Sequence, residues 1–164
     1  MANRSKAAAI ALGGVLAAVA VVIMALGGMI PLATFVCPML CMLLLRLIGR
    51  QCGSRIAWAW YGAVAILSCL LSPDKEAAAV FVFLGYYPVI KPKMDALPLS
   101  WLWKGLLFNI AILFMYGVLI YLLGMYELMG EFAQMGKVMT AATLVLGNVT
   151  FFLLDKVLGK RFRR

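Results

Sequence analysis

Long apolar runs, broken by proline, glycine and basic residues, constrain this chain more than any other feature. They cover residues 7–29, 32–45, 56–71, 73–90, 99–123 and 138–154. About 20 apolar residues cross a bilayer as a helix, and the helix is favoured there because it satisfies every backbone donor and acceptor internally. The sequence therefore predicts an all-α fold: an integral membrane bundle of six transmembrane helices, forming a single domain over residues 1–164. With 66% hydrophobic and 13% charged residues, the chain is too apolar for a soluble domain of its size. The first run follows Met1 to Lys6 in the manner of a signal sequence, but it is too long and no cleavage site follows it, so it is expected to stay as the first crossing.

The fourth run is marked at both ends. Ser72 suits an N-cap and Pro73 the first helical position, and Asp74 and Glu76 fall where the positive end of a helix favours carboxylates. At the other end Pro88 biases Tyr87 away from helical geometry and clashes with the carbonyl of Leu84, so the helix should fail around Gly85 to Tyr87. Residues 73–90 span only about 27 Å at ~1.5 Å per residue, barely the thickness of a hydrocarbon core. Pro38 is expected to bend the second run.

Six alternating crossings place the N-terminus, a basic loop from Arg46 to Arg55, the connector from Lys91 to Lys104 and the C-terminal tail on one side. Of the 15 lysines and arginines, only Lys75 and Lys137 then fall opposite. By the positive-inside rule both termini are cytoplasmic. That distribution also turns the net charge of +9 away from nucleic acid and toward cytoplasmic loops at a lipid surface. The outer side collects Asp74, Glu76, Glu127 and Glu131. Trp58, Trp60, Trp101 and Trp103, with Tyr86 and Tyr87, are expected to form a cytoplasmic interfacial belt rather than a ligand cage.

Little in the sequence suggests catalysis. There is no histidine, no nucleophile elbow, no phosphate-cradling loop and no carboxylate pair at membrane depth, so no enzyme and no cofactor is expected. Cys37 and Cys41 share a helix face, but two thiols alone cannot close a tetrahedral zinc site, and they read as small buried hydrophobes. Arg46, Lys104 and Asp155 lie near enough to the interface to snorkel, with Lys156 as a local partner for Asp155. Asn109 and Asn148 are the strongest polar groups inside the runs. Bridging helices is their default role, and lining a solute pocket is the alternative.

Small residues four apart on the first run, Ala7 with Ala11, Gly13 with Ala17 and Gly14 with Ala18, make a smooth face for close helix approach. Packing within the bundle and docking onto a partner both use such a face. With this alanine-rich first helix, six crossings, cytoplasmic termini and similar length, the whole chain resembles the S components of energy-coupling factor (ECF) transporters. These are substrate-binding membrane subunits of the bacterial plasma membrane. The resemblance implies uptake of a vitamin or similar micronutrient, powered through a transmembrane coupling subunit and two ATPase subunits. It also implies docking through Ala7, Ala11, Gly14 and Ala18. In that family the outer loops close the pocket, and they correspond here to Gly27–Thr34, Ser72–Ala77 and Gly124–Lys137. Thr34, Asp74, Glu76, Glu127, Glu131 and Asn148 are accordingly the candidate solute contacts. Lack of histidine argues against the nickel and cobalt branch, and the acidic rim favours a cationic or neutral solute. A non-transporting scaffold, similar to the rod-shape-determining membrane proteins of comparable topology, is the alternative, and a lipid-directed enzyme is a more distant third.

Overall fold

A computed structural model describes residues 2–27 and 33–159, and every described element is helical. In chain order these are α1 (Ala2–Gly27), α2 (Ala33–Gln51), α3 (Ser54–Leu71), α4 (Lys75–Leu84), α5 (Tyr87–Asp95), α6 (Ser100–Gly117), a π-helical turn (Val118–Leu122) and α7 (Glu127–Gly159). Five stretches are long and apolar enough to cross a membrane: Ala7–Gly27, Thr34–Gln51, Ser54–Leu71, Ser100–Leu122 and Glu127–Gly159. The expected fourth crossing, 73–90, is not among them, because the chain divides it into α4 and α5, each of ten residues or fewer. By its internal packing the chain falls into two compact units, Met1–Ala96 and Leu97–Arg164.

In the first unit α1 packs on α2 and α3, and α2 also packs on α3, α4 and α5. The helices approach closely because their inner faces are small: Gly13 and Ala20 on α1, Ala57 on α3, and Ala77, Ala78 and Ala79 on α4 are all buried. Larger side chains fill the remaining space, with Met24, Leu45, Ile48, Phe81 and Tyr87 almost fully enclosed. Several side chains donate to carbonyls of neighbouring helices. The Trp60 indole donates to Gly13 O at 3.1 Å, and weaker thiol bonds run from Cys41 to Ala20 O and from Cys52 to Ala9 O, both at 3.6 Å. Trp60 and Tyr87 are therefore core residues, which removes them from the expected interfacial belt. Trp58, Trp101 and Trp103 remain exposed.

The basic loop expected over Arg46 to Arg55 is much shorter than foreseen. α2 continues through Arg46 and Arg50 to Gln51, and the reversal is confined to Cys52 and Gly53. Gly53 has φ 88°, a left-handed value that a side chain would oppose. Pro38 lies within α2 without ending it. The carbonyl that Pro38 leaves without an amide is that of Thr34, in the first turn of the helix, where the loss of one ladder bond costs least.

At the α3–α4 junction the cap differs from expectation. The N-cap is Asp74, whose carboxylate accepts from Ala77 N at 3.0 Å, and the helix begins at Lys75 rather than at Pro73. Ser72 instead ends α3, its hydroxyl lying 3.1 Å from Met24 O and 3.0 Å from Asp74 O. A carboxylate is the stronger acceptor for free helix amides, and here the serine proton is engaged elsewhere. Lys75 turns back so that its ammonium donates to the carbonyls of Cys69 and Ser72, both at 3.0 Å, satisfying the end of α3.

α4 stops where the sequence foretold, but the chain re-enters a helix at once. Gly85 is held so close to α4 that a Cβ there would lie 2.2 Å from Phe81 O. Pro88 sits in the first turn of α5, where its missing amide is harmless. The Tyr61 hydroxyl from α3 donates to Val82 O, capping an end that would otherwise leave a carbonyl exposed to an apolar surrounding.

The second unit is an antiparallel pair. Along it Lys104 faces Asp155, Phe108 stacks on Phe151 at 4.9 Å, Asn109 meets Asn148, and Tyr116 meets Phe132 edge-on at 5.1 Å. Gly147 allows the pass, since a Cβ on it would lie 3.2 Å from the Phe108 ring. α6 is entered through Leu99 at φ 56°, an uncommon conformation for a branched side chain. α7 begins at Glu127, earlier than the expected 138, but it is interrupted at Gly136, where φ 72° and ψ 165° are not helical.

Candidate functional site

The sequence-predicted residues fall into three groups. In the first unit, Thr34 and Asp74 are brought together: the Thr34 hydroxyl donates to Asp74 Oδ2 at 2.7 Å while Asp74 Oδ1 accepts from Ala77 N. The start of α2 is thereby tied to the cap of α4, across 40 residues of chain. Glu76 lies half-buried in the first turn of α4, two residues from this cap. The carboxylate of Asp74 uses both oxygens for structure, so a solute would compete with a helix cap.

In the second unit Glu127 and Glu131 stand one turn apart and exposed near the start of α7, where the helix dipole favours carboxylates. Asn148 is well separated from them along the same helix. Its amide donates to Asn109 Oδ1 at 3.1 Å and to Leu144 O at 2.9 Å. Asn109 reciprocates, donating to Asn148 Oδ1 at 3.0 Å and to Gly105 O at 2.7 Å. All four amide hydrogens are therefore used within the pair and its own helices.

The ionisable groups are arranged differently from the expected snorkelling. Asp155 pairs with Lys104, 51 residues away in the chain, at 3.0 Å, and not with its neighbour Lys156. Both side chains are largely enclosed, at 7% and 14% exposure. Lys91 is also buried and approaches Asp95 one turn on at 3.4 Å. Desolvated lysine and carboxylate groups attract one another strongly, so a long-range partner within the packed seam outweighs a water-exposed neighbour.

The docking candidates form a continuous stripe. Ala7, Ala11, Gly14 and Ala18 all lie exposed along α1, whereas Gly13, Ala20, Met24 and Gly27 turn inward. A Cβ built on Gly14 meets nothing within 4 Å. The helix thus has two small-residue faces, and the bundle covers only one. Cys37 and Cys41 are free and buried, and the described residues contain no group of three or more metal-ligating side chains. An open groove of about 570 Å³ runs along α6 and the π turn between Ile110 and Leu122, with an almost wholly apolar lining that suits hydrocarbon.

Sequence reasoning missed the roles of Tyr61, Ser72 and Gly13. Each bonds a backbone atom of another element or is bonded through its own, and residue type alone gives no signal of such a partner. No family model matches the chain, nor does any curated protein or solved structure.

Proposed function

We propose that this chain is a membrane-embedded solute-binding subunit, similar to the S components of ECF transporters, that takes up a vitamin or similar micronutrient and works with separate partner subunits. In this reading α4 and α5 together make the sixth crossing, the chain resides in a bacterial plasma membrane with both termini cytoplasmic, and a transmembrane coupling subunit with two ATPase subunits supplies the energy. The observation that carries it is the exposed stripe Ala7, Ala11, Gly14 and Ala18. Such a face lets a second helix approach to backbone distance, and it is left uncovered while the opposite small face is used internally. In the same unit Thr34, Asp74 and Glu76 are the polar side chains that a solute would engage in this reading.

The test is affinity purification of the full chain from its native membrane. A coupling subunit and ATPases should co-purify, and Ala11→Trp should reduce their recovery at least about tenfold, as expected for losing close helix packing. Unchanged recovery with tryptophan at both Ala7 and Ala11 would sink the reading. A non-transporting scaffold is the second reading. It is favoured by the closed Asn109–Asn148 pair, whose donors are all spent on joining helices.

A further inference from the structure

α7 is longer than a crossing needs. About 20 residues span a hydrocarbon core, whereas Glu127–Gly159 holds 33. The surplus lies before Gly136, in a short helical piece over residues 127–135. Glycines in left-handed conformations bound this piece on both sides. Gly124 has φ 68° and ends the preceding helix, with Met125 N donating to Leu119 O at 3.1 Å. Gly136 has φ 72° and ψ 165°, a region kept almost entirely for glycine.

Neither glycine is there to make room. A Cβ on Gly136 would meet nothing within 4 Å, and one on Gly124 would meet the Tyr126 ring at 3.9 Å, an ordinary contact. That sets them apart from Gly85 and Gly147, where a Cβ would press on Phe81 or Phe108. Their role is backbone freedom, and glycine takes either sign of φ about equally, so both joints turn at little cost.

One edge of the piece holds it in place. Leu128 is buried and Phe132 half-buried, and the Phe132 ring meets Tyr116 of α6 edge-on at 5.1 Å. The other seven residues are exposed. By their spacing Leu128, Phe132 and Met135 share an apolar edge, and Glu127, Glu131 and Gln134 a polar one. Away from α6 the apolar edge meets lipid, whose tails are as apolar as the helix it leaves, so the exchange costs little. The ring contact is then what favours the packed position. The contacts that pair α6 with α7, Lys104 with Asp155, Phe108 with Phe151 and Asn109 with Asn148, all lie beyond Gly136 and do not involve the piece.

We propose that residues 127–135 form a hinged strap. It swings about Gly124 and Gly136 between a position latched on α6 through Phe132 and Tyr116 and a released one in the lipid interface, while α6 and the rest of α7 stay paired. The strap does not depend on the docking role of α1.

Double electron–electron resonance on the full chain in lipid nanodiscs tests this. The four native cysteines are replaced by alanine, and spin labels go on the exposed positions Leu106 and Gln134. A second pair, on Leu113 and Val157, reports the seam between the helices. The strap pair should give two distances and the seam pair one. Phe132→Ala should raise the ratio of released to latched strap about twofold to tenfold, the range for losing one aromatic pair, with the seam distance unchanged. Tyr116→Phe keeps the ring and should match the parent. Gly136→Ala opposes the elbow conformation and should also deplete the latched strap. A strap distance that stays single in the parent and in both alanine variants would overturn the proposal. So would a seam distance that shifts together with the strap, because the helix pair would then be opening as a whole.

Discussion

The two units of this protein solve the problem of polar groups in an apolar setting by different means. In Met1–Ala96, apart from the Thr34–Asp74 pair, single side chains reach to backbone carbonyls of other elements: Trp60 to Gly13, Ser72 to Met24, Tyr61 to Val82. In Leu97–Arg164, side chains pair with side chains along one seam, Lys104 with Asp155 and Asn109 with Asn148. The first device suits several helices held close by glycine and alanine, because a carbonyl is within reach of any neighbouring turn. The second suits two helices with larger residues between them, where each polar group must bring its own counterpart. A bundle held through its backbone tolerates exchange of side chains that are not donors. A seam of matched pairs does not tolerate losing one member.

Three substitutions probe that contrast, starting with the largest expected effect. Asp155→Leu removes the carboxylate from the buried Lys104 ammonium and should destabilise the chain by about 3–5 kcal/mol in reversible unfolding from detergent. Adding Lys104→Met should recover most of that loss. If the double variant is no better than the single, the pair is not the unit of stability. Next, Gly85→Ala places a methyl against the Phe81 carbonyl and should cost about 1–3 kcal/mol with local loss of protection in α4, since the neighbour is backbone and can yield only by distorting the helix. A neutral result would mean that the approach is not enforced. The smallest effect is expected for Asn148→Ala, about 0.6–1.7 kcal/mol, with Asn109→Leu/Asn148→Leu near neutral. A much larger loss for the single variant would show that the amide pair governs the seam more than the ion pair does.

Legibility in the sequence varied with the range of the interaction concerned. The break near Gly85 was visible because glycine and proline act on their own backbone, through steric and bonding rules that need no neighbour. What followed the break was not visible. α5 restarts over Tyr87–Asp95 and buries Tyr87, Pro88, Lys91 and Met94, although these residues looked like an exit into an aqueous connector. Lysine beside proline ordinarily signals a loop, and burial is set by what packs against it. The candidate site shows the same division. Thr34 and Asp74 were both named as candidate solute contacts, yet that they bond one another depends on α2 lying against α4. Asn109 and Asn148 were flagged as helix-bridging groups, while their mutual pairing depends on the register of α6 against α7.

By itself, then, the sequence determined an all-helical chain with several segments apolar enough to cross a membrane. It also determined where glycine and proline interrupt those segments, because hydrophobic length and backbone stereochemistry are local properties. Only the tertiary structure decided which small-residue face of α1 is used, which acceptor holds Ser72, and which cation faces Asp155. Those choices are made between elements distant in sequence. There a few tenths of an ångström in helix approach determine whether a donor meets a carbonyl, another side chain or lipid.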